Sequence, residues 1–171
     1  ESWRKTNSEL SVLSGRAHKV KYLGYSFYIY KGEGRLRIHP KSVQKFKDKI
    51  REVTGRSNGI GTKSRRSRLN QVVRGWMNYF KLADAKMLVK GLDEWIRSRI
   101  RMVTWKRWKK VRTRFENLKH LGTKVEQAWM WANTRKGYWR TAHSPILLRV
   151  LSNKRFKRVG YFSLTECYSA K

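Results

Sequence analysis

The residues able to do acid–base, metal or nucleophile chemistry are few and scattered. Carboxylates that hold Mg²⁺ for phosphodiester chemistry must come close together. The aspartates here are Asp48, Asp84 and Asp93, none in a paired Asp-Asp turn, and Asp93-Glu94 sits inside the Leu92/Trp95 helical pattern. Asp48 and Glu52 stand one turn apart, but their basic neighbours make them solvated ion-pair partners, worth ~0.2–0.5 kcal/mol each. His18, His39, His120 and His143 have no ligand spacing with one another or with Cys167, so no metal site is expected. A Cys167–His143 nucleophile pair has no supporting motif. Residues 54–64 are rich in glycine, yet Thr62 separates Gly61 from Lys63 and a helical pattern precedes them. A phosphate-cradling loop needs a preceding strand and Gly-Lys-Ser/Thr, so this stretch reads as a linker or at most a backbone contact to phosphate. No catalytic residue is assigned, and the expectation is a binding module.

Cations remain. The chain carries 42 Lys plus Arg against 11 Asp plus Glu, a net charge of +31 over 171 residues. Self-repulsion on that scale destabilises a compact state without a polyanion nearby. A composition 39% hydrophobic and 13% aromatic excludes a chain that never packs. The densest run, from Arg97 to Lys119, includes Lys106, Arg107, Lys109, Lys110 and Arg112, opposed by Glu116 and interleaved with Trp105, Trp108 and Phe115. A run of one sign with aromatics between is the footprint of a nucleic-acid surface. Arg65, Arg66, Arg68 and Arg74 form a second set. Lys136, Tyr138, Trp139 and Arg140 form a third, with His143; its aromatics either stack on nucleic acid or join a core. Trp129 and Trp131 read as core.

These groups must be positioned by a short ribbon and several helices. Lys21 to Ile38 has a period near two, broken by Lys31-Gly32-Glu33-Gly34, and predicts a β-hairpin. Val43, Phe46, Ile50 and Val53 then share one helix face. Leu69, Val72, Val73, Trp76, Met77 and Phe80 form a second apolar stripe, with the four arginines off it and Gly75 within it to permit close packing. A third helix from about Ala85 buries Leu88, Leu92, Trp95, Ile96, Ile100 and Val103. Val125, Ala128, Trp129 and Ala132 mark another. Ser144-Pro145 opens a last one, with Ser144 as N-cap and Pro145 at the first helical position, Ile146, Leu147, Val150 and Leu151 inward and Gly160 as its stop. The expected fold is mainly α: an N-terminal hairpin, a helical bundle, then a small helical C-terminal domain, with divisions at 1–40, 41–104 and 105–171. Lys or Arg interrupts every hydrophobic stretch, so no membrane span and no signal peptide is expected. The lone Cys167 fits a reducing, intracellular (cytoplasmic) setting. The start Glu1-Ser2-Trp3-Arg4 lacks an initiator Met, and a piece of a longer chain is expected.

Several motifs in order carry a resemblance: Lys21-Tyr22-Leu23-Gly24-Tyr25-Ser26-Phe27, then Leu69-Asn70-Gln71-Val72-Val73-Arg74-Gly75-Trp76-Met77-Asn78-Tyr79-Phe80, Trp105-Lys106-Arg107-Trp108-Lys109, and Asn117-Leu118-Lys119-His120-Leu121-Gly122. Trp131-Ala132-Asn133-Thr134-Arg135-Lys136-Gly137-Tyr138-Trp139-Arg140-Thr141-Ala142, Asn153-Lys154-Arg155-Phe156 and Gly160-Tyr161 extend it. Over roughly 21–168 the chain resembles the C-terminal part of group II intron-encoded reverse transcriptase/maturases, closest to the compact bacterial class without a nuclease domain. The resemblance implies that Tyr22, Leu23 and Gly24 end the palm as a primer grip. It implies that 41–104 is the thumb, or maturase domain X, and that 105–171 is a DNA-binding domain. Arg65, Arg66, Arg68, Arg74, Lys106, Arg107, Lys109, Lys110 and Arg112 would then contact intron RNA or template-primer, and Lys136, Tyr138, Trp139 and Arg140 target DNA. The implied parent is an RNA-directed DNA polymerase serving splicing and retrohoming, nucleoid-associated when mobile, with Mg²⁺ and dNTPs belonging to the palm and no cofactor in this segment. The family's Tyr-Ala-Asp-Asp motif is absent, and Leu10-Ser11 stands where Lys-Ser or Lys-Thr is usual. A stand-alone splicing maturase without polymerase activity is therefore the alternative. A ribosomal or chromatin-like structural protein fits the charge, but such proteins seldom need 8 Trp in clustered motifs.

Overall fold

The computed structural model describes residues 22–169. Lys21, His18, Leu10-Ser11 and the rest of 1–21, most of the expected palm end, lie outside the described residues. Strands β1 (Tyr25–Tyr30) and β2 (Glu33–Ile38) pair antiparallel, with Tyr25 opposite Ile38 and Tyr30 opposite Glu33. Lys31 and Gly32 alone make the turn, at φ 52° and 82°. Two consecutive positive φ values give a turn whose twist matches the strands, so Glu33 and Gly34 belong to β2 and not to a four-residue turn. A two-stranded ribbon is marginal by itself. Here the Asp84 amide donates to Leu36 O (2.7 Å) and the Tyr28 hydroxyl to Asp84 Oδ2 (2.7 Å). That second bond also holds the Tyr28 phenol above its ordinary pKa.

Helices α1 (Pro40–Val53), α2 (Thr62–Tyr79) and α3 (Lys86–Arg107) follow. Six shorter ones follow among the described residues: α4 (Val111–His120), α5 (Val125–Ala132), α6 (Tyr138–Ala142), α7 (Pro145–Val150), α8 (Asn153–Val159) and α9 (Leu164–Ser169). Pro40 sits at the first position of α1, where its missing N–H costs nothing, and His39 Nδ1 caps the Lys41 amide at 3.1 Å. The α1 face is as its spacing predicts: Phe46, Ile50 and Val53 are buried and Val43 packs against them. Asp48 and Glu52 are exposed and pair with Arg51 and Lys49.

Helix α3 is the hub. It packs against α6 and α9, and its buried residues are not confined to one face: Val89, Leu92, Asp93, Ile96, Ile100, Arg101, Met102, Val103 and Trp105 are all enclosed. The predicted stripe missed Val89, while Leu88 and Trp95 are only half-buried. The division expected at 104–105 falls inside this helix. A single cluster of buried apolar residues runs from Ile38 to Leu164, so α3 serves both halves.

Four local expectations are corrected. The glycine-rich stretch becomes helix at Thr62, and Asn58 closes what remains: its Nδ2 donates to Glu52 O and Val53 O, the last carbonyls of α1. Gly75 is exposed, and a Cβ there would meet nothing within 4 Å, so no packing inside this fold requires it. Residues 145–159 form two helices, because the chain breaks at Leu151-Ser152 before Gly160 ends the second in the left-handed region at φ 89°. Ser144 starts α7 without a side-chain cap, since its hydroxyl donates back to Thr141 O (2.6 Å).

Candidate nucleic-acid interface

The Tyr22-Leu23-Gly24 segment is a tight turn leading into β1. Leu23 and Gly24 have φ of 48° and 84°, and Tyr22 and Tyr25 exchange backbone hydrogen bonds across them. A left-handed conformation costs a non-glycine residue roughly 1–2 kcal/mol, and the surroundings enforce it. Gly24 O accepts from the His39 amide (3.0 Å) and Ser42 Oγ (2.9 Å), and Leu23 O accepts from the Tyr79 hydroxyl (2.8 Å). The Tyr25 hydroxyl donates to Tyr79 O. Only glycine fits at position 24, where a Cβ would lie 3.0 Å from Ser42 Oγ and 3.1 Å from the Phe80 ring. The backbone is thus pinned to the end of α2 while the Tyr22 and Leu23 side chains stand 62% and 64% exposed. Beside them an open groove of ≈ 520 Å³ runs past Lys45, Lys49, Phe46 and Trp76.

The α2 arginines divide into distinct environments. Arg65 continues the apolar stripe and is buried: its Nε donates to Val53 O (3.3 Å) and its NH2 to Asn58 Oδ1 (2.8 Å). Arg66 donates to Val159 O, and Arg74 lies 4.4 Å over the Phe162 ring. Arg68 is exposed, without a partner among the described residues.

The dense basic run is divided too. Arg101 is buried, with its Nε on Leu151 O (3.1 Å), and Arg99 reaches Thr54 Oγ1 (3.0 Å). Lys106 Nζ donates to Arg56 O (2.6 Å) and Ser57 Oγ (3.0 Å). Trp105 is core at 1% exposure, and Trp108 lies edge-on to it at 5.7 Å. Arg107, Lys109, Lys110 and Arg112, at the joint between α3 and α4, are exposed without a side-chain hydrogen bond or ion pair among the described residues.

In the third group Tyr138 packs on Met102, Val103 and Ala142 and carries Arg56 5.8 Å over its ring. Lys136 Nζ lies 5.7 Å from the Trp131 ring. Trp139 is 42% exposed, its ring edge-on to His143 at 4.6 Å, and Arg140 is exposed. Trp131 is half-buried, but Trp129 is 57% exposed and not core. Cys167 lies on α9, where burial pushes its thiol up and away from the thiolate a nucleophile needs. His143 follows α6, its Nδ1 2.9 Å from Trp139 O.

Contacts across the loops join the end of α3, the 54–61 loop and Tyr138, with Arg65 beside that loop, whereas Arg66 and Arg74 reach Val159 and Phe162 instead. Lys106 ties the end of α3 to the 54–61 loop, Arg56 joins that loop to Tyr138, and Arg114 joins Trp108 O (2.9 Å) to Ala132 O (3.4 Å). Like charges crowd here: burial lowers the Arg65 pKa, and Arg107 lowers it further. Arg99 is lowered likewise by burial, then by Arg51 and Arg56. Carboxylates do not relieve this, since the 11 acids cannot neutralise 42 cations. Sequence reasoning missed the polar groups that hold the elements together: Asn58 at the 54–61 loop, Asn70 on residues 160–162, Asp93 at the start of α9 and Arg101 on Leu151. Asp93 alone left a signal, a carboxylate on the apolar line of Val89, Ile96 and Ile100.

Fold and site together define a mainly helical, strongly cationic module with one group of exposed cations, Arg107, Lys109, Lys110 and Arg112, at the joint between α3 and α4. Residues 43–122, from α1 to the end of the α4 turn, match the family described as Group II intron, maturase-specific domain. That stretch is similar to the domain; the hairpin and residues 123–169 lie outside the match. None of the curated proteins matches the chain. No helix among the described residues is long and apolar enough to cross a membrane.

Proposed function

We propose that this chain is the nucleic-acid-binding part of a group II intron reverse transcriptase/maturase, holding intron RNA for splicing and clamping template and primer during target-primed reverse transcription. The observation that carries it is the exposed group Arg107, Lys109, Lys110 and Arg112, next in sequence to Lys106, which is tied to the 54–61 loop, on a helical body similar to the maturase-specific domain. A-form and hybrid duplexes offer phosphates and a wide minor groove, which such cations follow without reading sequence. The pinned Tyr22-Leu23-Gly24 turn favours a place beside a polymerase palm, because its backbone is fixed and its side chains are free to hold a primer terminus. Lys136, Trp139 and Arg140 would extend the path toward target DNA, with 41–104 as thumb and 105–171 as DNA-binding region. Mg²⁺ and dNTPs belong to the palm expected upstream.

The test neutralises Arg107, Lys109, Lys110 and Arg112 together to Gln, leaving Lys106 in place because its ammonium holds the 54–61 loop. Titration of structured RNA across a salt series should show weaker binding, with the log–log slope shallower by roughly 0.7–0.9 per lost contact. An unchanged slope would show that these side chains only face solvent. A stand-alone maturase would bind intron RNA as well but not extend a primer, and a paired-Asp motif upstream of Glu1 separates the two.

A further inference from the structure

Helix α5 leaves three large apolar side chains uncovered by the fold. Val125, Trp129 and Met130 are 56%, 57% and 62% exposed, although only Ala128 and Ala132 of this helix are fully enclosed. Trp129 is held in place: its ring stands edge-on to Phe115 of α4, at 5.6 Å and 83°, so its position is fixed while much of its surface stays open. On α4 the neighbours of Phe115 one turn away on either side are Arg112 and Lys119. Both are exposed and without partners among the described residues. Seven residues of helix separate them, about 10 Å, the span of roughly three stacked nucleotides at ~3.4 Å each. The acids beside the patch are Glu126, three residues before Trp129, and Glu116, one turn from both Arg112 and Lys119, so a strand must place its phosphates on the two cations and clear of these carboxylates.

We propose that Trp129 is a stacking platform for an unpaired nucleobase, with Arg112 and Lys119 taking the flanking phosphates. A protein partner would bury the same apolar face but would leave two cations at its edge needing acidic groups. A single-stranded nucleic acid supplies both the π-face and the charge. The proposal rests on the reading of this chain as an RNA binder and adds a site for single-stranded segments.

The test uses the whole 171-residue chain and two fluorescein-labelled RNAs of equal phosphate number, a hairpin with an unpaired loop and a fully paired duplex, followed by anisotropy. Trp129→Ala should weaken the looped RNA about 10- to 100-fold and the duplex less than about threefold, with the salt slope unchanged. Trp129→Phe, which keeps a ring, should stay within about threefold of wild type on both. Equal losses on the two RNAs, or none on either while wild type binds with a steep salt slope, would overturn the stacking site alone. Failure of wild type to bind either RNA would overturn the RNA-binding reading itself.

Discussion

Asp93 lies 2% exposed in the middle of α3 and takes donors from two directions. Ser163 Oγ (2.7 Å), Thr165 Oγ1 (2.9 Å) and the Leu164 amide (3.2 Å) reach it from the start of α9, and Arg97 pairs with it from one turn along α3. A buried carboxylate is tolerated only when its lone pairs are filled. Here they are filled by the segment that must be fastened, so removing the acceptor strands one buried and several half-buried donors at once. Asp93→Ala should cost about 3–5 kcal/mol in urea unfolding. A loss below ~1 kcal/mol would show that Arg97, Ser163 and Thr165 turn to solvent without penalty. The sequence marks Asp93 only as a charge on an apolar line. Arg97 is one turn away, but its other partners are some 70 residues along the chain, and no local pattern names those. The same blindness applies to cations: Arg65 and Arg68 look alike in sequence, yet one is buried on Val53 O and the other is free because the 54–61 loop folds over only one of them.

At the scale of elements, periodicity reads one-sided helices well and enclosed ones poorly. The α1 face and the α2 stripe follow from spacing because solvent lies on the other side. Helix α3 is packed on several sides, so its 3.6-residue signal is diluted and Val89 escapes it. The break at 151–152 leaves no trace either, since Leu151 is as apolar as a helix continuing inward requires; Gly160, by contrast, is legible because a left-handed cap favours glycine. Two glycines make the distinction testable with substitutions of opposite sign. Gly24→Ala puts a Cβ into Ser42 and Phe80 at positive φ, and should destabilise by about 1–3 kcal/mol while loosening the Tyr22-Leu23 turn. Gly75→Ala enters open space on an exposed helix face and should stabilise by about 0.5–1 kcal/mol. Paired thermal melts decide both. A destabilising Gly75→Ala would mean that the α2 surface is covered in the folded state, and a neutral Gly24→Ala that the turn is not held as described.

Across the whole molecule, the division that the sequence suggests at 104–105 and the end of the maturase-like match at residue 122 cut through one core. Helix α6 covers Met102 and Val103 with Tyr138 and Ala142, and Leu151 O takes the buried Arg101 guanidinium, whose plane lies 5.3 Å from the Phe156 ring. Asn70 of α2 accepts the Phe162 amide (3.0 Å) and donates to Gly160 O (2.7 Å), and the Tyr168 hydroxyl donates to Ala83 O (3.1 Å). The C-terminal helices therefore complete the surface of α2 and α3, although motif order in the sequence makes them look like an appended unit. Removing them would expose several buried apolar side chains and strip Arg101 of its acceptor, on a body whose large net positive charge already opposes compaction. A chain ending at Gly122 should consequently show no cooperative calorimetric transition under conditions where the full chain melts in one step. Two separate transitions in the full chain, the first matched by the truncated one, would establish instead that the maturase-like helices fold independently and that the contacts along α3 add little to their stability.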